Sequence, residues 1–204
     1  MTIETKTRVL IVFCHPSPES FNASVKDAVL EAIDQAGAEV RVNDLYARDF
    51  NPVMGREELH NYLDTGRNRL GLEDDVADIL WCNALIFIYP TWCYGPPAML
   101  KGWLERCLLP GVAFDPTLGD SDTIPRGLAH VTRLGVFTTC GASLALTHMM
   151  GSPGKNTFLR GVRALLAVRC KTSFVAHYAM DKSTPSSRAA HLRKVRTKMR
   201  ALLA

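Results

Sequence analysis

Three short segments of the chain place hydroxyl, amide and aromatic side chains directly behind runs of apolar residues. The first segment, residues 14–24, contains His15 and Asn22 among several serines and runs into a helical pattern. The first N–H groups of a helix lack internal partners and lie at the positive end of its dipole, so they bind anions. The segment predicts a phosphate site, and the alternative is a cluster of residues that only caps the helix.

The same segment lacks the signatures of several other phosphate-binding proteins. It contains neither G-x-G-x-x-G, the Rossmann dinucleotide fingerprint, nor G-x-x-x-x-G-K-S/T, the P-loop of NTPases. A low-molecular-weight phosphatase needs an arginine six residues after a strand-end cysteine, but Ser20 stands six residues after Cys14. These three classes are therefore excluded at this position.

The second segment, residues 90–97, places Trp92 and Tyr94 beside the turn-forming sequence Gly-Pro-Pro. A stiff loop with two aromatic faces can stack on a flat ring, and Gly95 lets the backbone approach that ring closely. The alternative is that both aromatic side chains lie in the core beneath the loop. For a pair of aromatic residues beside Gly-Pro-Pro, stacking on a ligand is the favoured interpretation.

The third segment, residues 138–143, consists of small residues with hydroxyl groups. It could supply N–H donors to a carbonyl or a ring nitrogen, and the alternative is a plain turn. Taken together, the three segments predict a ligand with a phosphate at one end and a flat heteroaromatic ring at the other. A flavin nucleotide fits that description best.

Alternating strand and helix patterns along the chain would position these three segments. Apolar runs and period-two alternation predict strands at residues 8–14, 39–44, 84–89, 131–139 and 172–180. Helical spacing and end signals predict helices at residues 22–36, 72–81, 97–108, within 156–168, and at 186–203. This β-α repetition predicts one α/β domain over residues 1–204, with a parallel sheet covered by helices on both faces. Ligands bind outside the carboxyl ends of such strands, which is where the three segments lie.

Two stretches, residues 46–71 and 109–127, show no regular pattern and are predicted to be irregular. Loops of such length in a compact domain are often functional.

The composition excludes several other kinds of protein. The chain is 47% hydrophobic with a formal net charge of +4, so it is neither disordered nor strongly basic. No apolar run reaches the ~18 residues that span a membrane. Residues 1–8 do not resemble a signal peptide, so the cytoplasm is the expected location. The six scattered cysteines predict reduced thiols and no metal site, and the basic last helix is interpreted as a solvated face rather than a nucleic-acid surface.

Four stretches of the sequence resemble the NAD(P)H:quinone oxidoreductase family of the DT-diaphorase type. They are RVLIVFCHPSPESFNASVKDAV, VNDLYARDFNPV, YPTWCYGPPAMLKGWLERCLLPGVAF and TTCG. The resemblance implies a flavodoxin-like fold with a five-stranded parallel sheet of order 2-1-3-4-5. It also implies a flavoprotein that takes hydride from NAD(P)H and reduces a quinone-like acceptor by two electrons. Members of the family are usually homodimers with active sites at the subunit interface.

The resemblance assigns roles to individual positions. The residues that would hold the flavin phosphates are His15, Ser17, Ser20, Phe21 and Asn22. The residues that would line the isoalloxazine ring are Pro90, Thr91, Trp92, Cys93 and Tyr94 on one side and Thr138, Thr139 and Gly141 on the other. Trp92 and Tyr94 would form walls that keep the ring dry, and donors around Gly141 would stabilise the reduced flavin.

The chain also departs from this family downstream of TTCG. Eukaryotic members carry a Tyr and a His that are thought to assist hydride transfer, but here the stretch reads LALTHMMGSPGKN. Leu or Ala stands where the Tyr would be, and His148 lies near the His position without aligning with it, so His148 is a candidate catalytic residue. The C-terminal extension of the animal enzymes is absent, so FMN is an alternative to FAD as the cofactor.

Two other functions are compatible with the same residues. One is a flavin-bearing regulatory subunit of a potassium-efflux system, and the other is the reduction of azo or nitro compounds. A one-electron flavodoxin shuttle is disfavoured because such proteins are usually acidic, whereas this chain is basic.

Overall fold

Five strands form one sheet at the centre of the molecule. A computed structural model describes residues 6–115, 117 and 125–204. The strands are β1 (Arg8–Phe13), β2 (Glu39–Asp44), β3 (Ala84–Thr91), β4 (Arg133–Cys140) and β5 (Lys171–His177). β1, β3 and β4 are buried along nearly their whole length, as continuous apolar runs in a sheet covered on both faces must be.

Seven helices connect or follow these strands among the described residues. They are α1 (Phe21–Gln35), α2 (Arg56–His60), α3 (Glu73–Trp81), α4 (Ala98–Cys107), α5 (Leu144–Met149), α6 (Pro153–Asn156) and α7 (Pro185–Leu203). α6 continues directly into a π-helical segment, Thr157–Val162, which fulfils the prediction of a helix within residues 156–168.

The sequence patterns failed at three places. The prediction that residues 46–71 are irregular was wrong at α2, where Glu58 accepts a hydrogen bond from the Gly55 N–H and closes the first turn at 2.8 Å. The predicted ranges also omit α5. The last strand ends at His177 rather than at residue 180, because Ala179 takes a positive φ of 52° that no strand can contain. Of the second irregular stretch, residues 116 and 118–124 lie outside the described part of the chain.

The strands run parallel in the order β2-β1-β3-β4-β5, which confirms the predicted topology. In the register, Phe13 lies opposite Ile88, and Ile88 lies opposite Phe137. The carboxyl ends of β1, β3 and β4 therefore meet at one edge of the sheet.

Helices cover both faces of the sheet. On one face, Val25 and Val29 of α1 share an apolar cluster with Val195 and Met199 of α7. On the other face, α3, α4 and the π-helical segment contribute a second cluster around Trp103. The polar side of α7 stays outside, where Arg196 pairs with Glu31 of α1 at 2.5 Å. The basic residues of α7 thus lie over a packed inner face, as interpreted from the sequence.

The cysteines are free thiols, and all of them except Cys93 are buried. Within the described part of the chain, no group of three His, Cys, Asp or Glu side chains is placed to hold a metal ion. The described helices include none that is both long and apolar enough to cross a membrane.

One buried carboxylate ties the second face together. Asp75 of α3 is 3% exposed and accepts hydrogen bonds from Asn43 Nδ2 at 2.5 Å and from Trp103 Nε1 at 2.6 Å. Arg48 donates to both of its oxygens at 2.8 Å. Asp75 therefore joins β2, the loop after β2, α3 and α4, and its burial is compensated by four hydrogen bonds.

Replacing this carboxylate should destabilise the fold strongly. Asp75→Ala leaves the Trp103 indole and the Asn43 amide buried without an acceptor, and we expect a loss of about 3–5 kcal/mol in the free energy of unfolding. Urea unfolding followed by circular dichroism measures that loss. The matched control is Asp74→Ala, an exposed residue in the same first helical turn, which should cost less than about 1 kcal/mol. Equal losses in the two variants would contradict the role given to Asp75.

Candidate active site

The carboxyl ends of the central strands surround a cavity of about 560 Å³. Loops after β1, β3, β4 and β5 contribute its walls. The lining residues are His15, Phe21, Asn22, Pro90, Thr91, Trp92, Cys93, Tyr94, Thr139, Cys140, Gly141, Ala142, Met180 and Asp181. Ten of the thirteen residues predicted from the sequence as cofactor contacts are brought together here.

The loop after β1 is shaped by its own side chains. His15 Nδ1 lies 3.0 Å from the Ser17 N and 3.1 Å from the Ser17 O, so the imidazole is held against the backbone of this loop. Partial burial lowers the pKa of His15, which favours the neutral ring at pH 7. Ser20 Oγ accepts the Ala23 N–H at 3.2 Å and caps α1. Ser17 and Ser20 do not line the cavity, so for Ser20 the structure corresponds to the helix-capping alternative.

Asn22 connects the first loop to the fourth strand. It is 3% exposed, lines the cavity, and donates from Nδ2 to Thr139 Oγ1 at 3.0 Å. Its Oδ1 is buried without a hydrogen-bond partner among the described residues. A buried acceptor left unpaired beside a cavity is available to a donor on a ligand.

The loop after β3 closes in a tight turn. The Trp92 N–H donates to Gly95 O at 3.1 Å, and the Gly95 N–H donates to Trp92 O at 2.9 Å. Between them, Cys93 and Tyr94 adopt φ values of 47° and 62°, a left-handed backbone conformation that residues other than glycine seldom take. The turn holds Trp92 46% exposed at the rim and Tyr94 half-buried in the wall, so the alternative of two core aromatics is wrong.

A second loop supports this strained turn. The Gly154 N–H of α6 donates to Tyr94 O at 2.9 Å. A Cβ at position 154 would lie 3.0 Å from the same oxygen, so glycine permits the close approach. On the opposite side, the ring centroids of His15 and Trp92 lie 6.4 Å apart, so the loop after β1 approaches the loop after β3.

The end of β4 supplies the remaining wall. Thr139, Cys140, Gly141 and Ala142 line the cavity, whereas Thr138 points away and shares a 2.9 Å hydrogen bond between its Oγ1 and that of Thr91. Thr138 is therefore not among the lining residues but holds Thr91 in place, and its direct contact with a cofactor stays a prediction.

Sequence reasoning missed the contribution of β5. Met180 and Asp181 line the cavity because the Ala179 N–H donates to Ala142 O at 2.9 Å and draws this loop against the end of β4. The overlong strand predicted for residues 172–180 concealed the turn. The only available signal was the neighbouring position of β5 in the predicted strand order.

His148 does not line the cavity. It is exposed on α5, and its Nδ1 lies 2.9 Å from Leu144 O within the same helix. Within the described protomer it is separated from the predicted flavin contacts, so its catalytic role stays a prediction.

Two buried histidines lie behind the cavity wall. The His177 and His191 ring centroids are 5.0 Å apart, and both rings contact Phe21, which lines the cavity. His177 Nδ1 and His191 Nε2 have no hydrogen-bond partner among the described residues. The pKa of His191 is lowered to about 4, mainly by burial and in addition by the neighbouring His177 and Lys194.

Comparison with known proteins agrees with this geometry. A family model described as a flavodoxin-like fold matches residues 7–203. Ribosyldihydronicotinamide dehydrogenase (quinone) of Homo sapiens is 33% identical over 139 residues, which are 60% of this chain and 60% of that protein. The chain thus spans less than two thirds of that curated relative.

Solved structures resemble the chain over nearly its whole length. An NAD(P)H:quinone oxidoreductase from Methanothermobacter marburgensis is 25% identical with a TM-score of 0.81, over 97% of this chain and 96% of that one. An FMN-dependent NADH-azoreductase from Bacillus anthracis, solved in complex with FMN, has a TM-score of 0.74. It is 16% identical over 97% of this chain and 100% of that one, so it shows the fold alone. The family resemblance predicted from the sequence motifs is confirmed by these names.

The buried His191 should make the stability of the fold depend on pH. The folded pKa of His191, about 4, lies below the ordinary value of 6.5, so the unfolded chain takes up the proton first as the pH falls below 6.5. We expect His191→Leu to lose about 2 kcal/mol less stability than the wild type between pH 7 and pH 4.5, measured by urea unfolding. His60→Leu, at an exposed position, should keep the wild-type slope. Identical slopes for all three proteins would refute the assignment.

Proposed function

We propose that this chain, which belongs to the flavodoxin-like fold family, is a flavin-dependent oxidoreductase that passes electrons from NAD(P)H to quinone-like acceptors. The observation that carries the proposal is the cavity at the carboxyl edge of the sheet. It combines an exposed aromatic turn, a helix N-terminus and an unpaired buried acceptor in one space.

The cavity fits a flavin nucleotide in size and in polarity. Its volume of about 560 Å³ lies within the range of roughly 300–1,000 Å³ that is usual for small-molecule sites. The N–H groups of Phe21 and Asn22 begin α1 and have no acceptor within that helix. No Lys or Arg is among the described lining residues, so a phosphate would be held by these N–H groups and the helix dipole.

The lining residues divide between the two ends of such a ligand. His15, Phe21 and Asn22 would stand near the phosphate end, with Asn22 Oδ1 able to accept a hydrogen bond. The ring would be lined by Thr139 and Gly141 on one side and, on the other, by Pro90, Thr91, Trp92, Cys93 and Tyr94. Ser17, Ser20 and Thr138 act indirectly, because their hydroxyl groups shape the loops that carry the contacts.

A bound flavin would supply two-electron redox chemistry between a nicotinamide donor and the acceptor. The chain orients the reactants and excludes water. Trp92 and Tyr94 form the walls beside which both flat substrates would stack in turn. Backbone donors around Gly141 would face the edge of the ring, where negative charge develops on reduction.

The finer assignments are FAD as the cofactor, with FMN as the alternative, and a quinone as the acceptor. Azo compounds are a second class of acceptor in this proposal, because the same reduced flavin could reduce them. The free thiols suit a reducing compartment, so we place the reaction in the cytoplasm.

We further propose that two copies of the chain associate through α5. Four large apolar side chains on and next to this helix are exposed: Leu144 by 49%, Leu146 by 37%, Met149 by 76% and Met150 by 51%. Several large apolar side chains exposed on one short helix are a feature of interaction sites. His148 lies on α5, so it would belong to such an interface.

The proposed function is tested by flavin uptake and turnover. The purified protein should bind a flavin with the visible spectrum of a flavoprotein, and heat release followed by chromatography should identify FAD or FMN. It should then oxidise NAD(P)H in the presence of a quinone with parallel-line, ping-pong kinetics. A protein that takes up neither flavin refutes the proposal.

The role of Asn22 is tested with the same protein. Asn22→Ala removes the unpaired acceptor and the bond to Thr139, and we expect at least about a tenfold loss of flavin affinity by fluorescence titration. The control is Asn83→Ala, because Asn83 Oδ1 accepts the Arg8 N–H at 2.9 Å at the opposite edge of the sheet. Equal affinity of the two variants would remove Asn22 from the site.

The association through α5 is tested by light scattering after size-exclusion chromatography. The wild type should elute with twice the mass of one chain. Met149→Glu places a charge on the apolar surface and should give a single-chain mass. Val168→Glu changes a residue that is 73% exposed elsewhere on the molecule and should leave the mass unchanged. A wild-type protein of single-chain mass would contradict this part of the proposal.

A further inference from the structure

The charges of the cavity wall are strongly one-sided. Among the described residues that line the cavity, Asp181 carries the one carboxylate, and no lysine or arginine balances it. The remaining titratable groups include His15, whose lowered pKa favours the neutral ring. A ligand in this cavity therefore meets one formal negative charge from the lining side chains and no formal positive charge.

The fold holds this carboxylate at a defined place. The turn Met180–Lys182 is attached to the end of β4 by the hydrogen bond from the Ala179 N–H to Ala142 O at 2.9 Å. Two further backbone bonds close it, from Lys182 N–H to Ala179 O at 3.0 Å and from Ser183 N–H to Met180 O at 3.0 Å. Asp181 is thus positioned by the backbone, although its side chain is exposed.

The carboxylate lies against Gly141. A Cβ at position 141 would lie 3.1 Å from Asp181 Oδ2, so the absence of a side chain there lets the carboxylate approach the loop after β4. Gly141 is the residue proposed to face the edge of the flavin ring. Asp181 therefore stands at the ring end of the cavity, where an electron acceptor would have to enter.

No described group neutralises this charge. Asp181 forms no salt bridge and no side-chain hydrogen bond with the residues that the structure describes. Its neighbour Lys182 does not line the cavity. An uncompensated carboxylate at the mouth of a site repels anions and tolerates neutral or cationic molecules, because like charges brought together inside a cleft are costly.

We propose that Asp181 is a specificity-determining residue that makes this cavity select neutral electron acceptors over acceptors that bear a sulfonate or carboxylate. The inference rests on the proposed function. It narrows the class of acceptor from quinone-like compounds in general to uncharged or cationic ones. It also predicts that anionic azo dyes are poor substrates compared with neutral ones.

The test compares naphthoquinone with naphthoquinone sulfonate as acceptors for the flavin-loaded protein. We expect Asp181→Asn to raise the kcat/KM for the sulfonate, relative to that for the neutral quinone, by about tenfold. The change should appear in the KM of the anionic acceptor rather than in kcat, since the carboxylate acts on entry and binding. The ratio of kcat/KM for the two acceptors is determined for each variant and then compared between variants. The difference in reduction potential between the acceptors is the same in both ratios and therefore cancels.

The control is Asp34→Asn, which changes the net charge equally. Asp34 lies near the carboxyl end of α1, at the edge of the sheet away from the cavity, and its acceptor ratio should equal that of the wild type. Raising the salt concentration should improve the sulfonate as a substrate of the wild type but not of Asp181→Asn, because screening weakens the repulsion.

A binding measurement separates this inference from the proposed function. Trp92 lines the cavity, so quenching of tryptophan fluorescence reports the dissociation constants of both quinones on the flavin-free protein. Asp181→Asn should lower the dissociation constant of the sulfonate by about tenfold relative to that of the neutral quinone. Unchanged ratios in a protein that binds flavin and turns over quinones would overturn the role of Asp181 and leave the oxidoreductase proposal standing. Failure to bind any flavin would overturn the proposed function and, with it, this role of Asp181.

Discussion

The hydrogen bond from Asn22 Nδ2 to Thr139 Oγ1 joins two residues that are 117 positions apart in the chain. It can form only because parallel pairing places the carboxyl ends of β1, β3 and β4 at one edge of the sheet. The same edge receives the N-terminus of α1, whose first residues, Phe21 and Asn22, line the cavity. The candidate active site is therefore a consequence of strand direction, and every other feature of the site refines that constraint.

Those refinements combine local strain with support from distant segments. Consecutive residues with positive φ, Cys93 and Tyr94, cost about 1–3 kcal/mol each in conformational free energy. The turn persists because its ends are hydrogen-bonded to each other and because Gly154 donates to Tyr94 O. As a result, the aromatic side chains of this turn remain at the surface and do not pack into the core. Such preorganisation suits the proposed function, in which flat faces would meet two different substrates in turn.

Buried polar groups behind and beside the site set its electrostatic character. Asp75 is satisfied by four hydrogen bonds and secures α3 and α4 against the sheet. His177 and His191 instead remain partly unpaired behind Phe21, and burial lowers the pKa of His191 to about 4. The cavity itself combines a neutral imidazole with a lone carboxylate. The described side chains thus place no cation against the ligand, and binding of a phosphate would depend on backbone N–H groups.

The sequence by itself determined the fold class, the parallel sheet and the three segments that meet at its edge. It could do so because apolar runs buried on both faces, alternating with amphipathic helices, have few other arrangements. The aromatic pair beside Gly-Pro-Pro and the polar loop before α1 were also recognisable as candidate site residues.

Only the tertiary structure decided which of these side chains face the cavity: Asn22 and Thr139 do, whereas Ser17, Ser20 and Thr138 support the loops from behind. It also placed Asp181 in the wall and His148 outside it. The orientation of a side chain at a strand end, and the approach of the loop after β5, depend on φ angles and on hydrogen bonds between distant residues, such as Ala179 N–H to Ala142 O. Local sequence patterns do not determine those contacts, because their partners are far apart in the chain.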